Sequence, residues 1–361
     1  MLKKPWFQVG VAILLGILII KYFIEIQFIF EPLVIIAKTA IVPVIFGGVL
    51  FYLAVPVQRR LEASNVPRWG SILIILAIVA VIIWVFVALI GPIVTKQVNN
   101  LVDNAPELTR QLNDVRVDLL HQKDDLPDQV QTTLNNALDR VEASAVKFGS
   151  WVIQFLQTVA QALVLLILVP FFFIFMLKDH EKFAPRIYNL FHGKRREWVK
   201  KTLHDINHVL SSYIQGQLLI STILATLILI GYLIIGLKYA LLLALFALVM
   251  NVIPFLGPWI AFAPAAVIGF LQDPKMVIWV SLVTLAAQQT DSHLITPNIM
   301  GKTLDIHPLT VITLILAAGN IAGFFGILLA VPTYAVIKVV VINIYERRKE
   351  IKQAATKNVG T

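Results

Sequence analysis

Two apolar stretches of this chain are too long to cross a bilayer as single straight helices. Residues 239–271 and 308–343 would each extend about 50 Å at 1.5 Å per residue, whereas the hydrocarbon core of a bilayer is about 30 Å thick. Helix-breaking residues interrupt both near the middle, at 251–258 and at 320–323. We therefore predict that both stretches bend or re-enter the membrane.

The first break has the sequence N-V-I-P-F-L-G-P at 251–258. Pro254 and Pro258 each remove a backbone donor, and Gly257 permits unusual backbone angles. Non-helical backbone inside a bilayer is tolerated only against protein or water, and paired interrupted spans are typical of transport sites. Carbonyl groups and half-helix ends around Asn251 could then coordinate a polar solute or an ion. The alternative is a kink at a short surface loop.

The second break offers the same chemistry through Asn320, Gly323 and Gly326. Small residues also let two helices pack closely inside a membrane. For this segment, helix packing explains the residues as well as a solute path does.

Composition supports a membrane protein throughout. The chain is 58% hydrophobic and 14% charged, against about 25% charged in soluble domains. The remaining apolar windows lie at 9–30, 33–55, 71–95, 151–177, 216–237 and 275–295. We predict an all-α polytopic membrane protein with about eight transmembrane helices, and with broken or re-entrant segments in its C-terminal half.

Several function classes are disfavoured. The chain has no cysteine and lacks the H-E-x-x-H, P-loop and G-x-S-x-G motifs, so we expect neither an enzyme nor a bound metal or cofactor. Its net charge of +9 does not indicate nucleic-acid binding, because the basic residues lie in short loops where membrane orientation explains them. The apolar run after Lys3 and Lys4 is interpreted as an uncleaved first span.

Basic loops place both termini on the cytoplasmic side of the membrane. The predicted order is a three-span region (1–95), an external helical hairpin (96–150), a fourth span (151–177), a basic cytoplasmic helical segment (178–215), a transport region (216–345) and a tail (346–361). The simplest count is eight crossings, with 239–271 as one broken span, 296–321 as a partial or re-entrant element and 322–343 as the last span.

The external segment repeats apolar residues at heptad spacing from Leu101 to Leu119. Pro127 then separates a second run of similar spacing. The two arms could pack on each other, or the seam could also join subunits.

The end of the 275–295 window carries four polar candidates: Gln288, Gln289, Asp291 and His293. An ionisable residue within a span indicates a pathway, and a carboxylate near an imidazole could bind a cation or relay protons. The alternative is a hydrated helix end. Gln215 and Gln217 open the 216–237 span and are interpreted as residues of the cytoplasmic interface.

The C-terminal half resembles the autoinducer-2 exporter (AI-2E) family. The segments that carry the resemblance are F-F-F-I-F-M-L-K-D at 171–179, Gly216-Gln217, I-P-F-L-G-P at 253–258, T-P-N-I-M-G-K at 296–302, His307-Pro308 and G-I-L-L-A-V-P at 326–332. The resemblance implies an eight-span inner-membrane protein that forms a homo-oligomer, with pentamers suggested by the family. The chain has Q-Q-T-D-S at 288–292 where the family often has a Glu and an Asn, so the resemblance alone does not assign a particular charged role to Asp291.

The family resemblance implies export of small signalling molecules such as autoinducer-2, or cation/proton antiport. We predict a secondary transporter that moves a small polar solute out of the cell by alternating access. Its path would be lined by Asn251, Pro254, Gly257, Pro258, Gln288, Gln289, Asp291, His293, Asn320 and Gly323. The alternatives are a Na⁺(Li⁺)/H⁺ antiporter on the same scaffold and a non-transporting scaffold that acts through its external hairpin.

Overall fold

The computed structural model describes residues 5–103, 168–301 and 306–357. These residues form helices and short connections, with no β-strand among them. The helices are α1 (Pro5–Glu25), α2 (Glu31–Ala63), α3 (Arg68–Val85), α4 (Gly91–Asp103), α5 (Val169–Tyr188), α6 (Lys194–Ile234), α7 (Ala240–Met250), α8 (Gly257–Gln272), α9 (Met276–Thr290), α10 (Thr296–Met300) and α11 (Pro308–Lys357).

Four helical segments of the described chain are long and apolar enough to cross a membrane. By length and composition alone they are Thr39–Ala63, Arg68–Asn100, Lys194–Ile234 and Pro308–Lys349, the last of which is interrupted at Ala322 and Gly323. Many large apolar side chains on α1 and α3 are exposed, as expected where lipid replaces water as the solvent. The prediction of an all-α polytopic membrane protein is therefore confirmed.

Helices α7 and α8 form a hairpin, which we call hairpin 1. The two ends of the hairpin meet at Gln272, whose amide donates to Gly236 O (2.9 Å) and accepts from Lys238 N (2.8 Å). At 11 and 16 residues, the arms are about 17 and 24 Å long, too short to cross the core separately. The expectation that 239–271 is one broken crossing was wrong, because the chain turns back on itself.

Gly257 allows the arms of hairpin 1 to meet closely. A Cβ atom at this position would lie less than 3.0 Å from Met250 O and 2.9 Å from Asn251 Cα. Both are backbone atoms that cannot move without moving the hairpin. Only a residue without a side chain fits there.

Helix α11 is a second hairpin, hairpin 2, broken at Ala322 (φ −135°) and Gly323 (φ +57°). A Cβ atom on Gly326 would lie 2.7 Å from Ala318 C. In a continuous helix, residues eight apart are separated by about 12 Å along the axis, so the chain must fold back here. The break predicted at 320–323 is present, with arms on either side of Ala322 and Gly323.

The tips of the two hairpins lie at a similar level along α6. Hairpin 1 is bonded to Gln217 through Asn251 O. In hairpin 2, Asn343 is bonded to Trp198 and Asp205 of α6. Phe325, near the tip of hairpin 2, is eighteen residues before Asn343, or about 27 Å along a helix. The same distance along α6, measured from Trp198, reaches the region near Gln217.

Two apolar clusters organise the described residues. The larger joins α6 to both hairpins and to α9, and the smaller joins α2, α3 and α5. Between them, Gln215 donates to Tyr52 O (2.6 Å), and Phe46 of α2 packs edge-on against Phe325. Most of the predicted external hairpin (96–150) and most of the predicted fourth span (151–177) lie outside the described residues.

Candidate functional site

The tip of hairpin 1 holds a buried carboxamide. Asn251 is 4% exposed, and neither its Oδ1 nor its Nδ2 has a hydrogen-bond partner among the described residues. Its backbone is fixed, because its N–H donates to Ala247 O (2.8 Å) and its carbonyl accepts from Gln217 Nε2 (2.7 Å). A buried polar group left unpaired costs about 1–3 kcal/mol. Such groups in native proteins indicate a bound molecule, a functional role or stored strain.

The Asn251 side chain lines a small pocket between α6, hairpin 1 and α9. The pocket has about 10 Å³ available to the centre of a water molecule, which is room for about one water. Its lining residues are Leu224, Ile228, Tyr232, Asn251, Pro258, Ala261, Phe262, Thr284, Ala287 and Gln288. We call this space the Asn251 pocket. It is closed to anything much larger than water.

The polar wall of the Asn251 pocket presents neutral oxygen and amide groups. Thr284 Oγ1 donates to Val280 O (2.8 Å), so it must accept the 3.3 Å hydrogen bond from the Tyr232 hydroxyl. Lone pairs on these two oxygens remain available beside the amides of Asn251 and Gln288. No carboxylate and no basic side chain is among the lining residues.

The predicted breakers at 254–258 build the tip. Leu256 N donates to Pro254 O (2.8 Å), and Gly257 N donates to Ile253 O (3.0 Å). Phe255 takes a left-handed conformation (φ +63°). Pro258 lies in the first turn of α8, where its missing N–H leaves no helical bond unmade.

The charged candidates lie outside the pocket. Asp291 and His293 belong to a π-helical turn, Asp291–Ile295, which extends α9. Asp291 is half-buried and accepts from Thr296 Oγ1 (2.7 Å), whereas Gln289 and His293 are exposed. Among the described residues, no group of three or more His, Asp or Glu could hold a metal ion.

The candidates of the second break also lie outside the Asn251 pocket. Asn320 is exposed, and its amide donates to Leu316 O (3.0 Å). Gly323 provides the left-handed turn at the tip of hairpin 2. The structure therefore brings together Asn251, Pro258 and Gln288 from the predicted path, and it separates them from Asn320 and Gly323.

Three residues of the site were not predicted from the sequence. Gln217 was interpreted as an interface residue, but it is buried and holds the tip of hairpin 1. Tyr232 and Thr284 are 52 residues apart, and no local pattern connects them. For Gln217, the sequence offered one signal of a buried role: a carboxamide near the start of a mostly apolar span.

Comparison with known proteins gives a consistent result. Residues 11–346 match the family described as AI-2E family transporter. The chain is 34% identical to YueF of Bacillus subtilis over 356 residues, which cover 95% of each chain. It is 30% identical to YrrI of Bacillus subtilis, covering 97% of this chain and all of YrrI. It is 26% identical to PerM of Escherichia coli K12, covering 83% and 86% of the two chains. The names of the first two relatives describe transport proteins, and that of PerM describes a permease.

Proposed function

Because the chain belongs to the AI-2E family of transporters, we propose that it moves a small neutral polar solute across the bilayer through the Asn251 pocket. The observation that carries the proposal is the buried Asn251 carboxamide, which has no partner of its own among the described residues. A hydroxyl-bearing solute could pair with that amide and with the Tyr232, Thr284 and Gln288 groups. A solute of the autoinducer-2 type has this chemistry.

The proposed orientation follows from the basic residues. Lys194, Arg195 and Arg196 begin α6, so this end of the helix is assigned to the cytoplasm. Hairpin 1 has its base at the other end of α6 and would enter from outside, whereas hairpin 2 would enter from the cytoplasm. The proposed crossings are α1, α2, α3, residues 151–177, α6 and the stretch from α9 to α10. These six crossings and the two re-entrant hairpins leave both termini inside.

Alternating access would then depend on movement at the two tips. In the conformation described, the Asn251 pocket has room for about one water, so a solute could enter only after hairpin 1 or its neighbours move. Opening at hairpin 1 would expose the pocket to the outside, and opening near hairpin 2 would expose it to the cytoplasm. Sliding of α6 and the two hairpins against α2 is the larger motion that we propose.

The remaining parts of the proposal concern setting and assembly. We propose a bacterial inner-membrane location, export as the direction of flux and no enzymatic activity. Exposed apolar side chains on α1 and α3 leave surface for lipid and for other copies of the chain. We therefore also propose a homo-oligomer, with a pentamer as the first state to test.

Na⁺(Li⁺)/H⁺ antiport is a second candidate, favoured by one observation. Asp291 places a half-buried carboxylate in a π-helical turn, bonded to the Thr296 hydroxyl. Turns of this kind are frequent at functional sites. A proton could exchange with a monovalent cation at this carboxylate.

Flux into proteoliposomes of purified protein separates the two candidates. One assay follows labelled autoinducer-2, and the other follows a pH-sensitive dye under imposed Na⁺ or Li⁺ gradients. The proposal predicts solute movement that needs no cation gradient and survives Asp291→Asn. Cation-driven proton movement that is lost in Asp291→Asn would establish antiport instead.

A further inference from the structure

A polar junction joins the α2–α3 turn to α5, away from the Asn251 pocket. The carbonyl of Leu177 in α5 accepts from Gln58 Nε2 of α2 (3.2 Å) and from Arg68 Nη2 of α3 (3.2 Å). Gln58 is 1% exposed. This carbonyl of α5 therefore bonds to both of the other helices.

His180 lies in this junction between an obligatory donor and an obligatory acceptor. Its Nδ1 is 3.0 Å from Arg68 Nη2 and 3.1 Å from Leu177 O. An arginine can only donate a hydrogen bond, and a carbonyl oxygen can only accept one. The contact with Arg68 therefore requires a lone pair on Nδ1, which an imidazolium does not have.

Protonation of His180 leaves Nδ1 without a free hydrogen-bond acceptor nearby among the described residues. A proton on Nδ1 would remove the lone pair that accepts from Arg68, placing two donors and two positive charges 3.0 Å apart. The alternative acceptor, Leu177 O, already accepts from Gln58 and Arg68. Either Arg68 or Gln58 must then leave the carbonyl, and either departure loosens the junction.

We propose that His180 makes the packing of the α2–α3 turn on α5 sensitive to protons, closed when His180 is neutral and opened when it is protonated. An imidazole changes charge between about pH 5 and pH 8, so the switch would act near physiological pH. The orientation proposed above places it on the cytoplasmic face. The switch itself does not depend on which solute is carried.

The charged groups around His180 do not remove the conflict. Glu181 pairs with Arg68 through Nη1 (2.5 Å), which fixes the guanidinium in place. Glu62 of α2 accepts from Gln58 (2.9 Å). Its carboxylate is therefore bonded to Gln58, the second donor to Leu177 O. Asp179 is paired with Lys182 (2.7 Å), and Arg59 of α2 adds a further positive charge near Glu181.

The junction is also connected to α6. The His180 ring packs on Phe51 of α2, with centroids 5.3 Å apart. The next residue, Tyr52, accepts from Gln215 and donates to Asn207, both in α6. A change at His180 therefore has a short path to the contacts that would slide during transport.

The experiment uses a single cysteine in the full-length chain, which has none of its own. Ser71 lies one turn after Arg68 and is 0% exposed, so Ser71→Cys reports opening of the junction. Labelling by a thiol reagent active across this pH range, such as dithiodipyridine, is measured in detergent at pH 7.5 and pH 5.5. Rates are normalised to the denatured protein at each pH.

The proposal predicts that normalised labelling rises about tenfold between pH 7.5 and pH 5.5, within the range in which imidazoles gain a proton. In Ser71→Cys with His180→Gln, whose amide oxygen can accept from Arg68 at any pH, the rise should be less than about twofold. His208→Gln on the exposed side of α6 should retain the full rise. An equal rise in the His180→Gln variant, or no rise with His180 present, would overturn the proposal. If Ser71→Cys does not fold, hydrogen exchange of the 64–71 amides, corrected for the intrinsic rate at each pH, gives a second measure: it should rise at pH 5.5 in the wild type but not in His180→Gln.

Discussion

The close contact at Gly257 gives the sharpest prediction about the fold. In Gly257→Ala, the new Cβ atom would lie 2.7 Å from Met250 C, whereas ordinary contact begins at 3.4 Å. The arms of hairpin 1 must therefore separate by at least 0.7 Å at this point. The atoms that must move are backbone atoms beside Asn251, so the pocket changes with them.

The expected loss of unfolding free energy is about 1–3 kcal/mol, the usual cost of inserting a methyl group where there is no space. Because the displaced backbone atoms belong to or adjoin Asn251, which lines the pocket, flux should fall more than stability does. Both are measured on the same preparation, by chemical unfolding in detergent and by solute flux in proteoliposomes.

Gly48→Ala is the matched control. Gly48 is a helical glycine of α2 with nothing within 4 Å of the added Cβ position. Its substitution should leave flux unchanged and should not reduce stability. Gly257→Ala behaving like Gly48→Ala in both assays would refute the reasoning that hairpin 1 depends on this close approach.

Three further predictions test other contacts. Gly326→Ala, whose Cβ would lie 2.7 Å from Ala318 C, should reduce stability to a similar extent as Gly257→Ala, as measured by chemical unfolding. Gln217→Leu should release the tip carbonyl of Asn251 and lower flux at least about tenfold, the effect of losing one hydrogen bond of about 1.4 kcal/mol. Thr222→Ala, at an exposed position of the same helix, should not lower flux.

The third prediction concerns Glu181, whose pKa is lowered chiefly by the hydrogen bond that it accepts from Arg68. A carboxyl with a lowered folded-state pKa contributes stability above its unfolded pKa of about 4.3, and that stability is lost as the pH falls through the folded-state pKa. Glu181→Gln should therefore flatten the acid limb of the thermal-unfolding profile below about pH 4.3. An unchanged acid limb would contradict the assignment.

The positions of the helix breaks were predictable, because proline and glycine act locally. The path of the chain between them was not. Residues 239–271 were expected to cross once, and only the contacts of Gln272 and Gly257 with distant backbone show that the segment returns. The family was recognisable because its motifs run in order through the C-terminal half, and the match over residues 11–346 confirms it.

The candidate site was predictable in part. Asn251 and Gln288 stood out as polar residues at breaks or helix ends in apolar segments. Tyr232 and Thr284 did not, because their role arises only when α6 packs on α9. Asp291 attracted attention through its charge, yet the pocket is lined by neutral groups. Charge in a span therefore did not predict which polar residues line this pocket.

The most direct test of the account is to compare flux and stability in Asn251→Leu. Replacing an unpaired buried amide with an apolar group of similar size should leave the free energy of unfolding unchanged or higher. If the amide binds solute, flux of labelled autoinducer-2 in proteoliposomes should nevertheless fall at least about tenfold, the effect of one lost polar contact. Flux equal to that of the wild type, or a parallel loss of flux and stability, would contradict the assignment of Asn251 to the solute path.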